Sequence, residues 1–136
     1  MALKTNELLT SAAGLGSQKR ISPSENGLQT KRFENDAGAP TILAGSLVAY
    51  EAGAVNNWTS WDVAGANGAE IMAGVLWPDP ITLHAADETL GTVLLLGIVH
   101  RDDIELNGQL QANIDAELKI RARSLGIVVQ GLVQVR

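Results

Sequence analysis

The segment His100-Arg-Asp-Asp-Ile-Glu-Leu-Asn107 carries the letters of a phosphoryl-transfer catalytic loop, H-R-D-x-x-x-x-N, with Asp102 where the base would sit. That chemistry also needs a glycine-rich phosphate loop, a strand lysine and a metal-binding D-F-G. This chain of 136 residues has no D-F-G and no room for two lobes. Asp102, Asp103 and Glu105 therefore read as a solvated loop, because a hard-cation loop needs more oxygen ligands at a recognisable spacing. The two histidines, His84 and His100, stand in no H-x-x-x-H spacing and beside no G-x-S-x-G nucleophile. Gly14-x-Gly16 follows no strand and so is not a phosphate loop. Asn57-Trp-Thr59 is a glycosylation sequon in form alone. No catalytic constellation emerges, no cofactor or metal is called for, and the expectation is a protein that is not an enzyme.

Trp58, Trp61 and Trp77 are the other chemically distinctive residues. Displayed together they would suit stacking on a sugar ring, and a ligand- or carbohydrate-binding β module is one reading of them. In a chain with one Phe and one Tyr, tryptophans more often anchor a core or an interface, which is the preferred reading. Trp58 and Trp61 are three apart and fall on opposite faces of a regular strand unless a bulge re-aims one.

The composition narrows the partners. A net charge of -5 argues against nonspecific nucleic-acid binding, which needs a basic surface to neutralise phosphates. Residues 1–36 hold five Lys/Arg and four Asp/Glu, whereas residues 37–136 hold five and eleven, so the excess acid belongs to the second part. With no cysteine, disulfides, thiolate chemistry and cysteine-based zinc sites are excluded. No apolar run reaches 18 residues, and Lys4, Asn6 and Glu7 stand where a signal peptide needs its apolar segment. The expectation is a non-secreted protein with no membrane partner. A chain of this length buries roughly two thirds of its unfolded surface and can hold one core without disulfides.

The elements that must position these residues begin after a polar leader. Residues 1–40 are expected to be a flexible arm, with a short helix near 6–13 or a disordered leader as the alternatives, ending at a turn-type boundary at Pro40. Residues 41–136 are expected to form the domain. Its centre is placed at residues 71–99, where Val93 to Val99 is apolar apart from Gly97 and reads as a strand buried on both faces. TILAGSLVAYE reads as one or two strands, NNWTSWDV as a return strand, AGANGA as a loop, and residues 70–77 as a strand stopped by Pro78 and Pro80. Residues 81–84 begin a short strand before a loop over residues 85–91. Asn113 to Leu125 reads as a helix, with Ile114, Leu118, Ala122 and Leu125 on one face, Asn113 capping its start and Gly126 its end. Its expected ion pairs are Asp115 with Lys119 and Glu117 with Arg121. IVVQGLVQVR reads as a half-buried closing strand. Leu96-Gly-Ile-Val99 recurs as Leu125-Gly-Ile-Val128 and loosely as Ala73-Gly-Val-Leu76, too irregularly spaced for a solenoid repeat, and reads as a glycine at strand entry or at a bend in a small, strongly curved sheet. The fold class is therefore mainly β (α+β), a small, strongly curved sheet or barrel-like domain with one C-terminal helix.

In their order, Gly45 to Tyr50, Ala73-Gly-Val-Leu76, Thr92-Val-Leu-Leu-Leu-Gly-Ile-Val99 with Ile104, and Leu125-Gly-Ile-Val-Val129 resemble a head decoration protein of the lambda-like tailed phages. The resemblance covers the register of residues 41–136, and the long leader and the WPDP turn depart from it. It implies a late, structural virion protein, made in the host cytoplasm, that sits as a homotrimer on the capsid exterior at three-fold and quasi-three-fold positions. There it would cement major capsid protein subunits and so stabilise the shell. On this reading Ile21, Leu28, Phe33 and Pro40 are anchors of a capsid-binding arm, ordered as an added strand, and the three tryptophans are interface anchors.

Overall fold

A computed structural model describes residues 19–34, 41–52, 57–83 and 88–132. Its strands are β1 (Ile21–Pro23), β2 (Leu28–Glu34), β3 (Thr41–Ile42), β4 (Leu47–Glu51), β5 (Asn57–Ser60), β6 (Gly74–Leu76), β7 (Ile81–Thr82), β8 (Glu88–Leu94), β9 (Gly97–His100) and β10 (Ile127–Gln130). Five of them close a barrel in the order β2-β5-β4-β6-β8; β1-β9-β10 form a second sheet, and β3 pairs with β7. The fold is mainly β with one C-terminal helical rod, as the sequence implies.

Period-two alternation explains how so short a barrel stays dry. Val48, Leu76 and Val93 join Phe33, Ile42, Ile81 and Leu83 in one buried cluster, with Trp58 packed against it. Their chain neighbours Leu47, Ala49, Val75 and Leu94 lie in a second buried cluster with Trp61, Met72, Ile104, Ile114, Leu118, Ala122 and Ile127. Successive side chains of a strand point to opposite faces, so the first cluster fills the barrel and the second lies between the barrel wall and the helix with its sheet. The adjacent apolar pairs Leu47-Val48, Val75-Leu76 and Val93-Leu94 are thereby accounted for, since the wall is buried on both sides there.

Four expectations need correction. The arm does not end at Pro40 in the sense proposed, because β2 makes the longest ladder of the barrel, from Leu28 opposite Leu94 to Glu34 opposite Glu88. Residues 21–34 are thus part of the domain. The apolar run over 93–99 is not one buried strand: β8 ends at Leu94, Ser24 and Gly27 bond the main chain at Leu95 and Leu96, and β9 begins at Gly97. Leu96 is 41% exposed. Within residues 70–77 only Gly74–Leu76 is strand, and within 85–91 the strand already begins at Glu88. His84 and Pro40 lie outside the described residues, as do 1–18 and 133–136.

The helical rod runs as α1 (Gln111–Glu117), a π-helical segment Leu118–Ala122 and α2 (Arg123–Leu125). It starts at Leu110, which offers no side-chain cap, so Asn113 is interior rather than capping. Ile114, Leu118 and Ala122 form its buried face, as their spacing indicates. Gly126 ends it with φ +99, and a Cβ there would collide with the Leu96 side chain. The chain turns at that residue straight into β10, which pairs in parallel with β9, Ile127 opposite Gly97. The two LGIV copies thus lie side by side offset by one residue, with Gly97 opening β9 and Gly126 capping the helix just before β10. A Cβ at Gly97 would meet the Ser22 carbonyl oxygen at 2.5 Å, the close approach that requires glycine.

Candidate functional site

The charged loop after β9 is committed to structure. Asp102 and Asp103 form a single 3-10 turn, Arg101–Asp103, whose first N–H partner is His100: the Asp102 N–H donates to His100 Nδ1 at 3.2 Å. Asp103 accepts from Arg20 Nε at 2.7 Å and from the Arg20 main-chain N–H at 2.9 Å. Lys19 Nζ donates to Glu105 at 2.7 Å, and Arg101 reaches both carboxylate oxygens of Asp115 at 3.0 and 2.7 Å. Hydrogen bonding from Arg20 holds the Asp103 carboxyl below its ordinary value, against desolvation, which raises it. Asp115 is lowered in the same way by Arg101. The Arg101 guanidinium is raised in turn, chiefly by Asp115. These pairs tie β1 to the loop and the loop to the helix. Asp115 is thus taken by Arg101 rather than paired with Lys119, while Glu117 lies 3.6 Å from Arg121 as expected. Glu117, nearly buried, also accepts the Met72 N–H at 2.6 Å and fastens the helix to the segment before β6. Among the described residues no three His, Cys, Asp or Glu side chains converge as metal ligands would.

The tryptophans are not brought together. Trp58 packs against the barrel-filling cluster, its ring 6.5 Å from Phe33 and 6.1 Å from Tyr50, with Lys31 Nζ 5.4 Å from its centroid. Trp61 is buried in the other cluster and donates its Nε1–H to the Glu70 carbonyl at 2.8 Å. Trp77 is half-buried against that same cluster, at the cis peptide to Pro78. Of the residues assigned to the arm, Ile21 is buried beneath β9, Phe33 is fully buried in the barrel and Leu28 is 36% exposed at the start of β2. Ile21 and Phe33 are therefore core residues of this chain.

Three surface features were not foreseen. The solvent face of the three-stranded sheet carries Leu96, Ile98 and Val128, with Ile98 41% and Val128 57% exposed, directly opposite one another in the β9–β10 register. The LGIV echo does not mark them, since its third letter is exposed as Ile98 and buried as Ile127, and its fourth is buried as Val99 and exposed as Val128. Beside them, a groove of about 340 Å³ separates the last turns of the helix from β10, lined by Lys119, Ala122, Arg123, Val128, Val129 and Leu132 among others. A polar cleft of about 440 Å³ lies elsewhere, lined by Glu51, Thr59, Ser60, Asp62, Asn107 and Gln109 with Trp61 at its wall. Comparison with protein-family models, with curated proteins and with solved structures finds no match.

Proposed function

We propose that this protein is a structural capsid decoration protein. On this reading it binds the outside of a mature phage head as a homotrimer, at three-fold and quasi-three-fold positions, and stabilises the shell of major capsid protein. The observation that carries the reading is the exposed apolar strip Leu96, Ile98 and Val128 on a sheet whose inner face belongs to the larger core. A rigid apolar surface of this kind suits burial against protein. The order of the glycine-aliphatic segments supports the same reading. No helix among the described residues is long and apolar enough to cross a membrane. The alternative, a ligand- or carbohydrate-binding module, rests on the polar cleft and draws less support, since Trp61 is buried and Lys31 stands over Trp58.

A cement that binds the expanded shell and not its dissociated subunits must stabilise the shell by mass action. DNA release from heads heated with and without added protein measures this, and release should shift to higher temperature when the protein is present. Identical release curves refute the proposal. Glycan-array binding that is lost on Trp58→Ala would favour the alternative.

A further inference from the structure

The helix and β10 diverge from one residue, Gly126, and the groove between them has an unusual electrostatic character. Lys19, Arg20, Arg32, Arg101 and Arg121 each have a carboxylate partner, and Lys31 lies over Trp58. Lys119 and Arg123 are the described cations left without an ion pair or hydrogen bond, and both are exposed on the same helix face, one turn apart, in the wall of this groove. The opposite wall is the outer edge of β10, which has no strand partner on that side among the described residues. Gly97 donates its N–H to the Gly126 carbonyl at 3.3 Å, which fixes the phase of the parallel ladder. With Ile127 in register with Gly97 and Val129 with Val99, the main-chain N–H and C=O groups of Ile127 and Val129 point away from β9. An unpaired strand edge is a template for another strand, and β10 carries no charged or proline guard along its length.

We propose that this groove docks an extended acidic segment of another polypeptide, added as a strand beside β10. Its main chain would bond to Ile127 and Val129, and its carboxylates would meet Lys119 and Arg123. The site goes beyond the capsid reading and does not depend on it. Four residues of β10 offer about 13 Å of edge, so a segment of about four to six residues fills it. Such addition draws affinity from main-chain hydrogen bonds and selectivity from alternate side chains.

The test follows the amide signals of Ile127 and Val129 in the full chain by NMR while an end-blocked Val-Glu-Val-Glu-Val-Glu peptide is titrated. Saturable shifts at both amides are expected. The pair of substitutions Lys119→Glu and Arg123→Glu, both on exposed positions, should leave the thermal melt unchanged, weaken binding about tenfold or more, and transfer preference to the Val-Lys counterpart. Absence of shifts at millimolar peptide overturns the proposal. Equal binding by a peptide N-methylated along its bonding edge also overturns it, because ion pairing alone would then suffice. Equal competition by a short single-stranded oligonucleotide would make the groove a phosphate site instead. A self-associated species in sedimentation that the double variant abolishes would assign the groove to a second copy. Binding that appears only after removal of residues 133–136 would assign it to the chain's own end.

Discussion

Leu94 and Leu96 stand two positions apart in one apolar run and have different fates. Leu94 is fully buried in the larger cluster, whereas Leu96 is 41% exposed where the chain leaves β8 for β9. A carboxylate at Leu94 would be buried without a partner, at a cost of several kcal/mol that rivals the stability of a whole domain. Leu94→Asp should therefore not fold, while Leu96→Asp should fold with a stability change within about 1 kcal/mol. Urea melts of the two variants check this, and equal loss in both would place Leu96 in the core after all. The run itself does not distinguish these leucines; the break is made by Ser24 and Gly27, whose main-chain bonds come from a segment far away in the sequence. Gly97 and Gly126 were more legible, since a glycine repeated before the same aliphatic pair points to a backbone requirement. The charged residues make a second prediction. Asp103 and Asp115 titrate below the ordinary aspartate value of 3.8, so their pairing stabilises the fold above that value and is lost as pH falls through the lowered one. Acid unfolding below about pH 4 should become shallower in Asp103→Asn and Asp115→Asn. Both variants should also be less stable than the parent at pH 7, by no more than about 1 kcal/mol for pairs this near the surface. Unaltered acid transitions in both would show that the pairs contribute nothing.

The element that sequence reasoning misplaced is β2. LQTKRFE has a single large inward residue, Phe33, whose ring lies over Gly91; a Cβ at that glycine would stand 3.0 Å from it. A composition argument weighs side chains, and β2 is held chiefly by a seven-residue main-chain ladder to β8. A boundary at Pro40 would make a chain beginning at Ala39 a complete domain. With β2 absent, β8 and β5 lose their neighbour and the barrel opens, so that chain should be unfolded or aggregated by circular dichroism and sedimentation. Phe33→Ala in the intact chain should cost about 3–5 kcal/mol, read as a fall in the denaturation midpoint. A cost under about 1 kcal/mol would mean that the barrel is not closed by this ring. The helix was legible because its periodicity and its terminal glycine are local signals. Its start was not, because Leu110 supplies no capping side chain, and its π-helical middle leaves no mark in composition.

For the molecule as a whole, the barrel-like β fold and the single C-terminal helix were within reach of the sequence, while the use of residues 21–34 in the fold was not. The surface strip Leu96, Ile98 and Val128 was hidden for the same reason as Leu96 itself, since exposure depends on what the second sheet leaves uncovered. The shared barrel wall has a kinetic consequence. Leu47, Val75 and Leu94 belong to one cluster, and their neighbours Val48, Leu76 and Val93 to the other, so neither half can be assembled ahead of its companion. Closure also waits for Leu28 to find Leu94 and Ile21 to find Val99, contacts that span about half of the chain and carry a large loop-closure entropy. Refolding from denaturant should accordingly take on the order of milliseconds to seconds, in a single exponential. Stopped-flow fluorescence can follow it from both sides of the wall, because Trp58 reports on the barrel interior and Trp61 on the helix side. Single-tryptophan variants retaining one or the other should relax at the same rate, with the barrel and its flanking layer condensing in one event.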